Sequence, residues 1–234
     1  MELSGNDAVA LNDVFKVYRD GEVETIALRG IELAIKRGEF VAIMGRSGSG
    51  KTTLLNLIAG VDRPTAGKVI VDGVALERAS ENEREVLRSR SIGLVFQAQN
   101  LVPFLSLEEN VRLVDALADG ASSAPAAREL LAAVGLADRA KHRPDQVSGG
   151  EQQRAALACV LAAAPAVLLA DEITGELDSA TAAHVLDVVR AVHRERGLTV
   201  VLVTHDPAVA ATADRVIHLA DGRVVEDARV EVAA

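Results

Sequence analysis

The chain has 234 residues, room for one large domain or one domain with an inserted lobe, and its net charge of −9 argues against broad contact with nucleic acid. Hydrophobic residues make up 49%, charged residues 25% and aromatics only 2%, with no Trp, so a soluble globular fold with a core of Ala, Val, Leu and Ile is expected. The single cysteine, Cys159, excludes an intrachain disulfide, suits a reducing compartment and reads as a small buried apolar residue.

Residues 1–10 lack a basic region followed by an apolar run, so no signal peptide is expected. The longest uncharged run, Ala155 to Ala170, contains Pro165 and falls short of the ~20 residues that span a bilayer. No transmembrane helix is therefore expected, and any membrane role passes through a partner.

In chain order, Val14 to Tyr18 reads as a strand, followed by an Asp20-Gly21 turn. Alternating apolar residues at Ile26, Leu28, Ile31, Leu33 and Ile35 predict a second strand, or two with a bend at Gly30. Phe40 to Met44 is a short apolar strand, and a helix is expected from Lys51. Val69 to Val71 and Ile92 to Phe96 read as strands, and Ser80 with Glu83 is spaced to cap a helix between them. Ser106 and Glu109 form a further capping pair, and the pattern stays helical to about Ala163, with a loop at 118–127. Val167 to Leu169 is then a buried strand, Ser179 to Arg196 a long helix and Thr199 to Val203 another strand. Uniformly apolar strands alternating with helices imply a mostly parallel sheet covered on both faces. Ligands of such sheets gather at the carboxyl ends of the strands, which is where the polar motifs fall.

The first motif is Gly45-Arg46-Ser47-Gly48-Ser49-Gly50-Lys51-Thr52, which fits G-x-x-x-x-G-K-[ST] between an apolar strand and a helix. In that pattern backbone N–H groups cradle phosphates, the Lys51 ammonium neutralises the outer ones and the Thr52 hydroxyl holds Mg²⁺; Thr53 follows directly. The second motif, Val167 to Glu172, is an apolar strand ending in two carboxylates. Asp171 suits Mg²⁺, through water, and Glu172 suits a base that orients or deprotonates an attacking water. The third is Ser148-Gly149-Gly150-Glu151-Gln152-Gln153-Arg154. Ser148 and Glu151 form a capping pair at a helix start, and the bare glycines leave its backbone open to an anion. An ordinary capped helix after a turn would look the same. Three single residues gain meaning only from their order: Tyr18, a core aromatic or a platform for a base; Gln97; and His205 at the end of the strand 200–204.

Together these residues resemble the nucleotide-binding domain of ABC transporters, over about Leu11 to Val225. The resemblance implies a phosphate-loop ATPase with a mostly parallel central sheet, an N-terminal antiparallel β subdomain and an inserted α-helical subdomain. The ATP-binding core would be about 11–97 and 165–225, and the helical insert about 98–164. Gln97 then sits in the family's Q-loop, as a catalytic and Mg²⁺-contacting residue that also touches the membrane partner. Ser148 to Arg154 corresponds to the signature motif, Val167 to Glu172 to the Walker B strand, Leu177-Asp178 to the D-loop and His205 to the switch histidine. Tyr18 matches the aromatic that stacks on adenine. The details look closest to the group serving lipoprotein release and macrolide export, through Val95-Phe96-Gln97, Glu109-Asn110-Val111 and Val203-Thr204-His205-Asp206 among others.

Five positions depart from the family pattern: Ile173, where Pro is usual; Glu176, for Asn; Val147, for Leu; Cys159, for Arg; and Arg46, for Pro. None removes a group expected to touch phosphate, metal or water. The resemblance implies two copies with two ATP molecules between them, where Ser148, Gly149 and Gly150 of one copy, with Asp178 nearby, close on the γ-phosphate held by Lys51 of the other. Geometry read from sequence leaves open whether Ser148 meets its own site instead. It also implies a separate transmembrane permease and a place on the inner face of the cell membrane, with no nucleic acid. Rival readings are an ABC-type ATPase that regulates a membrane partner without cargo, and a soluble one acting on DNA or in translation. The second usually needs a coiled-coil or zinc insertion, or a fused second domain, that is not evident here. A GTPase would carry Asn-Lys-x-Asp, and no Asn is followed by Lys.

Overall fold

The computed structural model describes residues 6–21, 23–95, 101–118, 127–175 and 177–230. Phe96, Gln97 and Glu176 lie outside the described residues. The elements in chain order are β1 (Asp7–Asp20), β2 (Val23–Lys36), β3 (Phe40–Met44), α1 (Lys51–Ile58), β4 (Ala66–Val71), β5 (Val74–Ala75), α2 (Glu81–Arg90) and β6 (Ile92–Val95). There follow α3 (Leu107–Leu117), α4 (Ala127–Ala133), α5 (Gly149–Ala162), β7 (Val167–Asp171), α6 (Ser179–Arg196), β8 (Thr199–Val203), α7 (Pro207–Ala210), β9 (Arg215–Ala220) and β10 (Arg223–Arg229).

A four-stranded sheet runs β2-β1-β4-β5, with antiparallel pairings throughout. A six-stranded sheet runs β10-β9-β3-β8-β7-β6 and is parallel except for the β9–β10 hairpin. The fold is therefore the expected α/β class, with an antiparallel sheet ahead of a mostly parallel one. Gly30 takes φ 71 but does not divide β2, which stays paired with β1 on both sides of it. The strand before His205 ends at Val203, so His205 stands in the loop beyond the sheet rather than at the strand's last position.

The period of two in the central strands divides the molecule into two cores. Phe40, Ala42, Leu168, Ala170, Val200 and Leu202 face one side, against buried residues of α3, α4, α5 and α6. Val41, Ile43, Val167, Leu169, Val201 and Val203 face the other, against Leu54, Leu55, Leu57 and Ile58 of α1 and the apolar side of the antiparallel sheet. Both faces being covered explains why these strands read as continuous apolar runs. Cys159 and Ile173 both sit in the first core, 5% and 2% exposed, and burial pushes the Cys159 thiol up to about 12.

The helix starts follow local chemistry. Ser80, Ser106 and Ser148 each accept a hydrogen bond from the backbone N–H of the Glu three residues on, and each Glu carboxylate accepts from its Ser N–H. Asp178 caps α6 in the same sense, and Gly197, at φ 65, ends it. No helix among the described residues is long and apolar enough to cross a membrane.

Candidate nucleotide site

The start of α1 differs from the other long helices. Its N-cap is Gly50, with no side-chain cap, and no acidic residue stands in its first turn. The N–H groups that Ser and Glu satisfy in α2, α3 and α5 are here left for a ligand, and the helix dipole favours an anion. Gly50 has φ 105, and a Cβ there would lie 2.7 Å from the Ala27 carbonyl oxygen. A Cβ on Gly45 would meet the Leu219 carbonyl oxygen at 2.2 Å. The loop is thus packed against β2 and β9 so closely that side chains at these two positions are excluded. The Lys51 ammonium folds back over the loop and donates to the Gly45 and Arg46 carbonyls at 2.8 and 2.9 Å.

The ends of β7 and β8 bring the acidic groups to the same place. The Thr52 hydroxyl donates to Asp171 Oδ2 at 3.1 Å. Asp171 has its pKa raised, first by burial; the Thr52 hydrogen bond opposes this, the Glu172 charge adds to it and the Lys51 charge opposes it. Glu172 takes φ 51, an uncommon conformation for a residue with a side chain. Its N–H donates to the Val203 carbonyl at 3.0 Å, and its own carbonyl accepts from Gly175 N–H at 3.0 Å and from Gln153 Nε2 at 3.3 Å. Its carboxylate Oε1 lies 3.1 Å from Nδ1 of His205, whose side chain is 69% exposed.

These groups converge. Gly45, Arg46, Ser47, Gly48, Gly50, Lys51, Thr52, Thr53, Asp171, Glu172 and His205 line one cavity of about 630 Å³. Thr25, Ile26 and Ala27 of β2 complete its wall, and the sequence reading did not mark them as site residues. Their one signal is Ile26, an apolar residue 42% exposed on a strand that otherwise shows solvent mostly polar side chains.

Other candidates stand outside the lining. Ser49 is buried, and its hydroxyl has no hydrogen-bond partner among the described residues. Tyr18 is 40% exposed; its hydroxyl donates to Asp62 Oδ2 at 2.9 Å, and Lys16 Nζ, bonded to Asp62 Oδ1 at 2.6 Å, lies 4.7 Å from the ring centre. Burial, ahead of smaller hydrogen-bond effects, raises the Tyr18 pKa. The Asp178 carboxylate is engaged in capping α6, with Thr181 Oγ1 at 2.6 Å. Ser148, Gly149 and Gly150 do not line the cavity of their own chain. The start of α5 also already holds a negative group, Glu151, which pairs with Arg139 at 3.2 Å.

Among the described residues, no cluster of three or more His, Cys, Asp or Glu is arranged to hold a metal by itself. The Thr52 hydroxyl beside the Asp171 carboxylate is instead the sparse oxygen set that suits Mg²⁺ carried in with a phosphate group.

A helix start stripped of caps, a lysine over its loop and a carboxylate pair facing it define a phosphate-loop nucleotide hydrolase. The chain belongs to the ABC transporter family, whose model matches residues 28–175. It is 46% identical over 220 residues to the macrolide export ATP-binding/permease protein MacB of Syntrophobacter fumaroxidans, covering 92% of this chain and 31% of that protein's length. It is 44% identical over 220 residues to the lipoprotein-releasing system ATP-binding protein LolD of Bordetella avium, covering 93% of this chain and 96% of that one. The dimeric structure of a bacterial ABC transporter cassette matches with a TM-score of 0.88 and 40% identity, over 96% of this chain and 100% of that chain. A dimeric cassette in a post-hydrolysis state bound to ADP and Pi matches with a TM-score of 0.87 and 39% identity, over the same shares. The chain is accordingly an ABC-type ATPase domain, of the class of ATP-binding transporter subunits.

Proposed function

We propose that this chain hydrolyses ATP as half of a homodimer, or of a dimer with a similar ATPase subunit, and so drives a separate membrane permease in export or in mechanical work across the membrane. In this reading 11–97 and 165–225 form the ATP-binding core and 98–164 the inserted helical subdomain, and the dimer works at the inner face of the cell membrane, with no nucleic acid involved.

One observation carries the reading. The phosphate loop, Asp171, Glu172 and His205 share a cavity, yet the glycine pair of the signature motif lies outside it. A γ-phosphate held by Lys51 therefore has acceptors left for donors from elsewhere, and Ser148, Gly149 and Gly150 of a second copy are suited to supply them. ADP lacks those acceptors, so ATP favours the closed dimer and hydrolysis releases it.

Within the site, loop N–H groups and Lys51 bind the phosphates, with Thr53 and Arg46 at the rim. Thr52 and Asp171 would hold Mg²⁺, which when bound neutralises phosphate charge. Glu172 holds the attacking water and takes its proton, and His205 keeps the Glu172 carboxylate oriented through Nδ1. Tyr18, fixed by Asp62, offers its ring to adenine. Gln97 is assigned from the motif alone, as contact to Mg²⁺ and to the permease, and Asp178 as a group near the dimer interface.

The test is Glu172→Gln. The variant should bind ATP, lose turnover by about 10²- to 10⁴-fold and remain dimeric with ATP on size exclusion. A chain that stays monomeric at saturating ATP contradicts the reading. Co-purification of a membrane protein with the tagged chain identifies the permease.

A further inference from the structure

Gln153, on α5, hydrogen-bonds the backbone at the hydrolytic end of its own chain. It is 6% exposed, and its Nε2 donates to the Glu172 carbonyl at 3.3 Å. Its Oε1 is buried and has no hydrogen-bond partner among the described residues. An apolar side chain of similar length would fill the space without leaving an oxygen unpaired, so the amide's specific contribution is its bond to Glu172. That bond falls on a residue at φ 51, a conformation that persists only where surrounding contacts hold it. The remaining backbone contacts of Glu172, to Val203 and Gly175, come from the sheet and the following turn. Among the described residues, Gln153 is the hydrogen-bond partner that ties the Glu172 backbone to α5.

The same helix begins at Ser148 and Gly149. Gln153 lies five positions after the cap, little more than one helical turn, and that stretch moves as a unit. We propose that Gln153 is a positioning residue that couples the two ATP sites of the dimer. Closure of Ser148 and the glycine pair on the partner's γ-phosphate shifts α5, and Gln153 carries the shift to the backbone of Glu172, which sets the base in the chain's own site. The inference rests on the dimer reading above. It predicts that ATP in one site readies the base in the other, so that turnover depends on ATP concentration sigmoidally.

The experiment compares the full chain with Gln153→Met, which keeps the side-chain length and removes the donor. Gln153→Glu, which turns an acceptor toward the carbonyl, serves as the second variant should the first fail to fold. The expected result is a fall in kcat of about tenfold with KM for ATP within about twofold, and a Hill coefficient falling from above one to about one. A purely structural loss would lower the melting temperature without separating kcat from KM. ATP-dependent dimerisation is measured in parallel in the Glu172→Gln chain, with and without Gln153→Met. Dimers in both, with kcat and Hill coefficient unchanged by Gln153→Met, overturn the coupling role and leave the dimer reading standing. Absence of a dimer in the Glu172→Gln chain itself overturns the dimer reading and the coupling with it.

Discussion

The hydroxyl of Thr52, at the start of α1, donates to the carboxylate of Asp171, at the end of β7, at 3.1 Å across 119 residues of chain. This contact ties the phosphate-binding half of the site to its acidic half. It also leaves a half-buried carboxylate whose charge is only partly compensated, and the consequence is measurable.

Burial raises the Asp171 pKa, the Glu172 charge adds to it, and Thr52 and Lys51 offset only part. A carboxyl with a folded pKa above its unfolded one favours folding while protonated, and that contribution is lost as pH rises from the ordinary Asp value, near 4, through the raised one. At neutral pH the ionised group therefore destabilises the nucleotide-free chain. Asp171→Asn should raise the melting temperature at neutral pH, with the gain shrinking as pH is lowered toward about 4. The same variant should weaken the Mg²⁺ dependence of turnover. A lower melting temperature at neutral pH would contradict this account of the charge.

Lys51→Ala removes the one ammonium that folds over the loop. Nucleotide titration should show ATP affinity falling by about 10- to 100-fold, the range of a lost charge-assisted hydrogen bond. The partners it leaves behind are carbonyls at an open rim, so the melting temperature of the nucleotide-free chain should change little. Unchanged ATP affinity would remove the loop as the phosphate site.

Ile173 stands directly after the carboxylate pair and is buried in the core it shares with residues of α3, α4, α5 and α6. Ile173→Ala should reduce stability by about 2–4 kcal/mol through the cavity it leaves, read from the denaturant midpoint. The loss lies behind Glu172, so ATP affinity should hold while kcat falls. A stability change within about 0.5 kcal/mol would mean the site collapses freely around the missing atoms.

Much of this was legible because the signals are local. The Ser-x-x-Glu caps and the run from Gly45 to Thr52 are contiguous, and α6 matches its expected limits because Asp178 and Gly197 fix them. What escaped depends on pairing. β1 runs from Asp7 rather than Val14 because Ala8 to Leu11 are covered on both faces, which erases the alternation a strand would otherwise display. β10 is the edge of the sheet and β9 lies beside it, both carrying charged residues, and Arg215 of β9 is held by Asp227 of β10 and by Glu39, just before β3. Thr25 to Ala27 and Gln153 reach the site only through folding: the first because β2 lies beside the phosphate loop, the second because α5 passes under Glu172. The glycine pair was legible as a helix start because Ser148 and Glu151 are spaced as a capping box, and the structure forms that box; what the spacing does not show is the pairing of Glu151 with Arg139.

The central claim is that each ATP is held by two chains, and mixing two defective chains tests it. Ser148→Arg blocks the signature motif and Lys51→Ala the phosphate loop, so each homodimer has no intact composite site. A mixed dimer rebuilds a single intact site from Lys51 of one chain and Ser148 of the other. The account predicts that ATP occlusion, near zero for either variant alone, appears on mixing, at a single nucleotide per mixed dimer. Occlusion no greater than the sum of the separate variants would contradict it and return Ser148 to its own chain's site.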